Sequence, residues 1–259
     1  MILMNDVTRR FSAEHSALAF PLGGIGTGNV SIGARGDLLD WEIFNQPAKG
    51  TRLPNTFFAI RTQSADGEVA ARVLEGQIPP PYTLSHGFHP VTGAGLPRFR
   101  STTFCGEYPF AQIDLQDDKM PVDVRREAFT PLIPLNPDDS GIPCAILTCT
   151  VTNTGDQALD VTLVGSLCNP VGGMQMDRFS NLGANLVGRT RNEFHTEDGL
   201  RGLRFGAEGI DPNHLQYGNM SLVTDHAEVT VKPEWMRSGW WDFLQDFWDD
   251  FVEDGLLED

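Results

Sequence analysis

The 259-residue chain has only four cysteines, Cys105, Cys144, Cys149 and Cys168, and no C-x-x-C pair. Thiols so few and so irregularly spaced exclude a disulfide framework and a cysteine-based zinc site, and they predict free, buried side chains. Positive charge is also scarce: 19 lysines and arginines face 35 acidic residues, for a net charge of -16. Nucleic acid and anionic membranes repel such a surface, so neither is expected as a partner. No window approaches a membrane span, and residues 1–10 lack the apolar core of a signal peptide. A soluble, cytoplasmic protein is expected, in which the sequons at Asn29 and Asn219 have no consequence. G-x-S-x-G and G-K-[ST] are missing as well, which removes a nucleophile elbow and a phosphate loop of the Walker type.

What the chain does have is glycine among apolar residues. Residues 20–45 carry Gly23, Gly24, Gly26, Gly28, Gly33 and Gly36 between Ile25, Val30, Ile32, Leu38, Trp41, Ile43 and Phe44. This reads as short strands joined by glycine corners, because glycine admits turns and backbone approaches that a Cβ would bar. The dinucleotide fingerprint fails at its third glycine, where Asn29 or Ser31 stands, and no helical period follows.

Further along, 55–62 and 68–74 read as strands about the turn 64–67. Three prolines at 79–81, then Pro90 and Pro97, make 77–97 a long loop. Residues 98–104, 107–115 and 122–129 are the next strands. An alternating pair then reads as a hairpin: Ala145, Leu147, Cys149 and Val151 share one face, and Leu159, Val161 and Leu163 share a face of the partner across the turn 153–156. A second long loop covers 169–181, and 200–205, 220–224 and 227–231 read as short strands. Residues 1–19 read as a lead-in segment. At the end, Trp241, Leu244, Phe247, Trp248 and Phe251 recur at helical spacing against an acidic face, with Gly255 as the stop. Some surface has to cover those aromatics. The fold class expected is all-β: an antiparallel β-sandwich with long loops and a C-terminal amphipathic helix.

Two blocks carry a resemblance. Leu22-Gly-Gly-Ile-Gly-Thr-Gly28 with Arg35-Gly36, Trp41 and Asn45, followed by residues 129–143 (FTPLIPLNPDDSGIP) and 150–155 (TVTNTG), resembles the N-terminal domain of glycoside hydrolase family 116. That family includes non-lysosomal glucosylceramidase (bile acid β-glucosidase) and bacterial β-glucosidases. The resemblance implies that 20–259 is an N-terminal β-sandwich domain, incomplete in its last strands. It further implies that nucleophile and acid/base belong to a helical catalytic toroid absent from this sequence.

Glycoside hydrolysis needs two carboxyl groups flanking the scissile bond, about 5–5.5 Å apart for retention and about 6.5–9.5 Å for inversion. Glu42, Glu75 and Glu107 lie in apolar surroundings and read as satisfied structural carboxylates. His86 and His89, spaced H-x-x-H on the proline-rich loop, lack the further ligands of a metal site. Tyr82, Phe88, Phe99 and Trp41 could stack on a sugar but read as buried aromatics. No catalytic, metal or cofactor-binding residue is therefore assigned, no cofactor is expected, and substrate-binding residues are unknown. The expected function is the N-terminal β-sandwich portion of a β-glucosidase- or glucosylceramidase-like glycoside hydrolase, the parent a retaining enzyme and this chain alone inactive. Its expected partner is the catalytic toroid, in cis or in trans, through which β-glucoside substrate is reached. Two alternatives are a carbohydrate-binding module that uses exposed aromatics and an interaction subunit that docks through the acidic aromatic helix.

Overall fold

The computed structural model describes residues 9–80, 93–176, 182–184, 189–236 and 242–258. The fold is all-β; among the described residues its sheets are antiparallel apart from one short parallel pairing, and a single helix longer than one turn lies near the end. The chain divides into two compact units that interleave in sequence, one holding residues 9–52, 57–80 and 96–162 and the other 53–56, 93–95 and the described residues from 163 onward.

The first unit is a sandwich of two sheets. One has the order β1 (Arg10–Ser12), β8 (Ser101–Glu107), β9 (Phe110–Gln116), β10 (Val122–Phe129), β11 (Ile146–Asn153). The other has the order β12 (Leu159–Ser166), β5 (Phe57–Ser64), β6 (Val69–Gly76), β7 (Arg98–Phe99), with β6 and β7 parallel. A smaller antiparallel sheet, β2 (Ala19–Leu22), β3 (Asn29–Gly33) and β4 (Leu38–Glu42), comes from the glycine-rich block. Alternation explains the packing. Val122, Val124, Arg126 and Ala128 of β10 point inward while the residues between them are half-buried or exposed, as a two-residue period requires. Phe104, Ile113, Leu115 and Val124 from one sheet and Ile60 and Leu74 from the other share one core with Leu22 and Ile32. Each such side chain contributes about 1.5–3 kcal/mol through burial.

The 145–164 hairpin has to be corrected. The alternation is real, but β11 closes onto β10, pairing Val124 with Val151 and Ala128 with Leu147, whereas β12 lies beside β5 in the other sheet. The turn at 153–156, where Asn153 Oδ1 accepts from Gly155 N at 2.9 Å, is a crossover between sheets. Along β12 burial changes face: Leu159 packs on the core, yet farther on Val164 and Ser166 are buried while Val161 and Leu163 are exposed. The lead-in is structural too, since β1 pairs with β8 in the register Arg10↔Cys105 to Ser12↔Thr103.

The second unit contains the sheet β15 (Arg189–Glu197), β16 (Leu200–Glu208), β17 (Met220–Thr224), and a short pair, β13 (Met174–Met176), which falls within the stretch expected to be a long loop, with β14 (Leu182–Ala184), just past it. Residues 227–231 form no strand: past Thr224 the His226 ring meets Glu228 O at 2.9 Å and holds a tight bend. Besides the four-residue α1 (Pro137–Ser140), the chain has α2 (Phe243–Asp254), stopped by Gly255 in the left-handed conformation, φ 84°, whose N–H donates to Phe251 O at 3.0 Å. Leu244, Phe247 and Phe251 are buried, and Trp235 stacks on Phe247 with ring centroids 4.4 Å apart, so part of the aromatic face is covered by this chain's own segment. Lys232 Nζ lies 2.9 Å from Asp250 and 3.7 Å from Asp246, which offsets part of the acidic end of the helix. Trp241 lies outside the described residues. None of the described helices is long and apolar enough to cross a membrane.

Candidate functional site

The two blocks that carry the resemblance meet in space. Gly23 N donates to Thr130 Oγ1 at 2.7 Å, and Ile25 N donates to Ser140 O at 2.8 Å. Between these contacts the backbones almost touch: a Cβ on Gly24 would stand 2.5 Å from the Gly141 carbonyl carbon and oxygen. Only glycine fits there. Ser140 organises the opposing loop. It is buried, its hydroxyl donates to Ile133 O and accepts from Ile133 N, both at 2.9 Å, and it ends α1, whose N-cap Asn136 accepts from Asp139 N. The resulting face carries Ile25, Ile133, Leu135 and Ile142 outward, with Leu135 at φ 66°.

Under the same small sheet lies a buried charge cluster built on the Arg35-Gly36-Asp37 turn. Arg35 pairs with Glu75 through Nη1 and with Asp37 through Nη2 at 3.0 Å; Arg98 Nε reaches Glu75 at 3.3 Å, and Arg52 Nε reaches Asp37 at 2.7 Å. Gly36, φ 91°, brings its carbonyl to Arg126 Nη1 at 2.9 Å, and the same nitrogen donates to Leu74 O at 2.8 Å. Arg126 thus sits inside the sandwich, its guanidinium 5.1 Å from the Phe58 ring centre. Burial holds its pKa below the ordinary arginine value, and the fields of Cys149, Glu75 and Asp37 oppose that shift. For Asp37, burial pushes upward and the guanidiniums of Arg35 and Arg52 pull down; the guanidiniums win, and the carboxyl stays below its ordinary range.

The other buried carboxylates are held in the same manner. Asp40 accepts from Gly50 N at 2.5 Å with Lys49 at 3.6 Å, and Asp117 accepts from Lys119 N at 2.9 Å and Arg72 Nε at 3.3 Å. Both titrate below the ordinary range, these bonds outweighing burial. A cavity of about 30 Å³ beside Arg35, Asp37 and Arg52 has room for water and none for a sugar. A larger groove of about 370 Å³ lies along Arg100, Gln116, Asp117, Asp118 and Asp123, but Asp118 is paired with Arg100 at 2.9 Å and Asp123 with Gln116 at 3.0 Å.

Of the carboxylates singled out in the sequence, Glu75 is in the buried cluster and Glu42 meets Lys49 at 2.7 Å, while Glu107 is not in apolar surroundings but exposed, 2.8 Å from Arg9. Trp41 and Phe99 are buried and cannot offer a ring to a sugar. His86, His89, Tyr82 and Phe88 lie outside the described residues. All four cysteines are free and half-buried, and burial pushes the Cys168 thiol up to about 11. Sequence reading missed Arg126, although the period of β10 put it on the inward face, and missed Ser140, whose role depends on a contact with Ile25 more than a hundred residues away. Residues 19–259 match the family described as beta-glucosidase 2, glycosyl-hydrolase family 116 N-term, and the chain belongs to the family 116 N-terminal domains.

Proposed function

We propose that this chain is the supporting β-sandwich portion of a β-glucosidase-type glycoside hydrolase, inactive by itself, and that the reacting carboxyl groups belong to a helical catalytic domain acting on β-linked glucosides or glucosylated lipids. One observation carries the reading. A glycosidase requires one carboxyl kept protonated, with its pKa raised, to protonate the leaving group. Among the described residues, every carboxyl whose pKa departs from its ordinary value is held below it: Asp37, Asp40, Glu42, Asp66, Asp117 and Asp211. These groups are bound as anions by arginine, lysine, hydroxyl or backbone N–H, an arrangement that serves a scaffold and opposes acid catalysis. The family match supports such a scaffold in a glycosidase. An assay of the purified chain with a chromogenic β-glucoside tests this. No turnover above the uncatalysed rate is expected, and turnover that survives purification would refute it.

A further inference from the structure

We propose that Cys149 is a site of reversible oxidation by hydrogen peroxide, and that the Arg126 guanidinium holds the sulfenate formed there. The inference is independent of the glycosidase reading and concerns a property of the sandwich itself.

Arg126 is 2% exposed and has an occupant at only one guanidinium nitrogen: Nη1 donates to Gly36 O and Leu74 O, while Nε and Nη2 are buried without a hydrogen-bond partner. Donors left unmade in an interior are costly, so such groups call for an acceptor. Charge is uneven there as well. The guanidiniums of Arg35, Arg98 and Arg126 share the carboxylates of Asp37 and Glu75, and the cluster lacks a third anion. Cys149 is placed to supply it. In the β10–β11 ladder it stands directly opposite Arg126, which sets the two Cβ atoms about 4.5–5.5 Å apart. Both side chains turn inward, Cys149 packing on the apolar core of the sandwich. Burial keeps its thiol above the ordinary value while the guanidinium pulls it back, so the resting group is a neutral thiol, a weak acceptor. The other three cysteines lack this setting. Burial alone raises Cys144 and Cys168, and the arginine opposite Cys105, Arg10, is exposed, where water screens its charge.

Access and chemistry agree. Cys149 is half-buried on the outermost described strand of its sheet, so a molecule as small as peroxide reaches the sulfur without opening the core. The thiolate attacks one peroxide oxygen, and the O–O bond breaks as the S–O bond forms. Two electrons pass from sulfur to the departing oxygen, which takes the proton released by the thiol and leaves as water. The sulfenic acid then loses its own proton beside the guanidinium, and its oxygen accepts from Nε and Nη2.

The test treats the full protein briefly with hydrogen peroxide in the presence of a 1,3-diketone that traps sulfenates, and locates the label by mass spectrometry. Label at Cys149 should exceed that at each other cysteine roughly tenfold, the ratio that one charge-assisted hydrogen bond in the product supports. A pair of variants reads the anion site without oxidant, since Cys149→Asp sets a carboxylate opposite Arg126 and Cys149→Asn its neutral isostere. In urea unfolding at neutral pH, Cys149→Asp should favour the folded state roughly tenfold more than Cys149→Asn. An inward position without a cation would give the opposite order, because burying a charge costs more than burying an amide. Label spread evenly over the four cysteines, label concentrated on another of them, or Cys149→Asn as stable as Cys149→Asp would each overturn the proposal.

Discussion

Replacing Glu75 by glutamine keeps the shape of the buried cluster and removes one charge. Glu75 is 3% exposed and lies between Arg35 and Arg98, both deeply buried, with Arg126 close enough to feel its field. In the native protein three buried guanidiniums face two buried carboxylates, Asp37 and Glu75. After the substitution three would face one. Leaving a buried charge uncompensated costs about 3–5 kcal/mol, a loss that would lower the melting temperature by roughly 10 °C for a domain of this size. The measurement is urea unfolding of both proteins, followed by circular dichroism at low and high salt. The deficit should persist at high salt, because a pair this deeply buried is poorly screened. Adding Arg98→Met to Glu75→Gln should recover part of the loss, since it removes one of the stranded cations. A deficit below about 1 kcal/mol, or one that salt abolishes, would show that Glu75 behaves as half of a surface ion pair and would refute a buried, mutually compensated cluster.

Acid should destabilise the fold through Asp37. Its folded pKa lies below its unfolded value of about 4, so its contribution is fully present above that pH and is lost as the pH falls through the folded value; Asp37→Asn should flatten the acid limb of a stability-against-pH curve below about pH 4 and leave the curve's slope above it unchanged. Leu135→Gly should stabilise the chain by about 1 kcal/mol in thermal unfolding, because glycine adopts a positive φ without steric cost; a lower melting temperature would mean that Leu135 packs within the chain. Gly24→Ala should cost about 1–3 kcal/mol and speed hydrogen exchange across residues 130–144, since a Cβ at 2.5 Å from the Gly141 backbone forces the two loops apart; unchanged exchange would show that the loops are held elsewhere.

Much of the sandwich was legible because its signals are local. The period of two in β9, β10 and β11, the turn at 64–67 and the helix stop at Gly255 depend on residues within a few positions of one another. Pairing was less legible. Five residues between β11 and β12 suit a hairpin and a crossover equally, and nothing local to them shows that β5 is the neighbour of β12. β15 was not visible because arginine, asparagine, glutamate and threonine leave its two faces almost equally polar. The candidate site was half legible: both blocks stood out by composition, but their meeting through Gly24, Ile25 and Ser140 and the enclosure of Arg126 are tertiary facts.

The position of β1 has a consequence for how the chain is made. Arg10–Ser12 pairs with the segment around Cys105, so its hydrogen-bonding partner emerges from the ribosome more than ninety residues later. At a synthesis rate of about 5–20 residues per second, β1 waits for several seconds or longer with its N–H and C=O groups unpaired. The β8–β9–β10 meander, whose neighbours follow one another closely in sequence, is expected to form faster than the long-range pairing of β1. The same strand, an edge of only three residues, is expected to be among the first parts of the sheet to open, so brief hydrogen-exchange labelling should find Phe11 and its neighbours before it reaches Ile113.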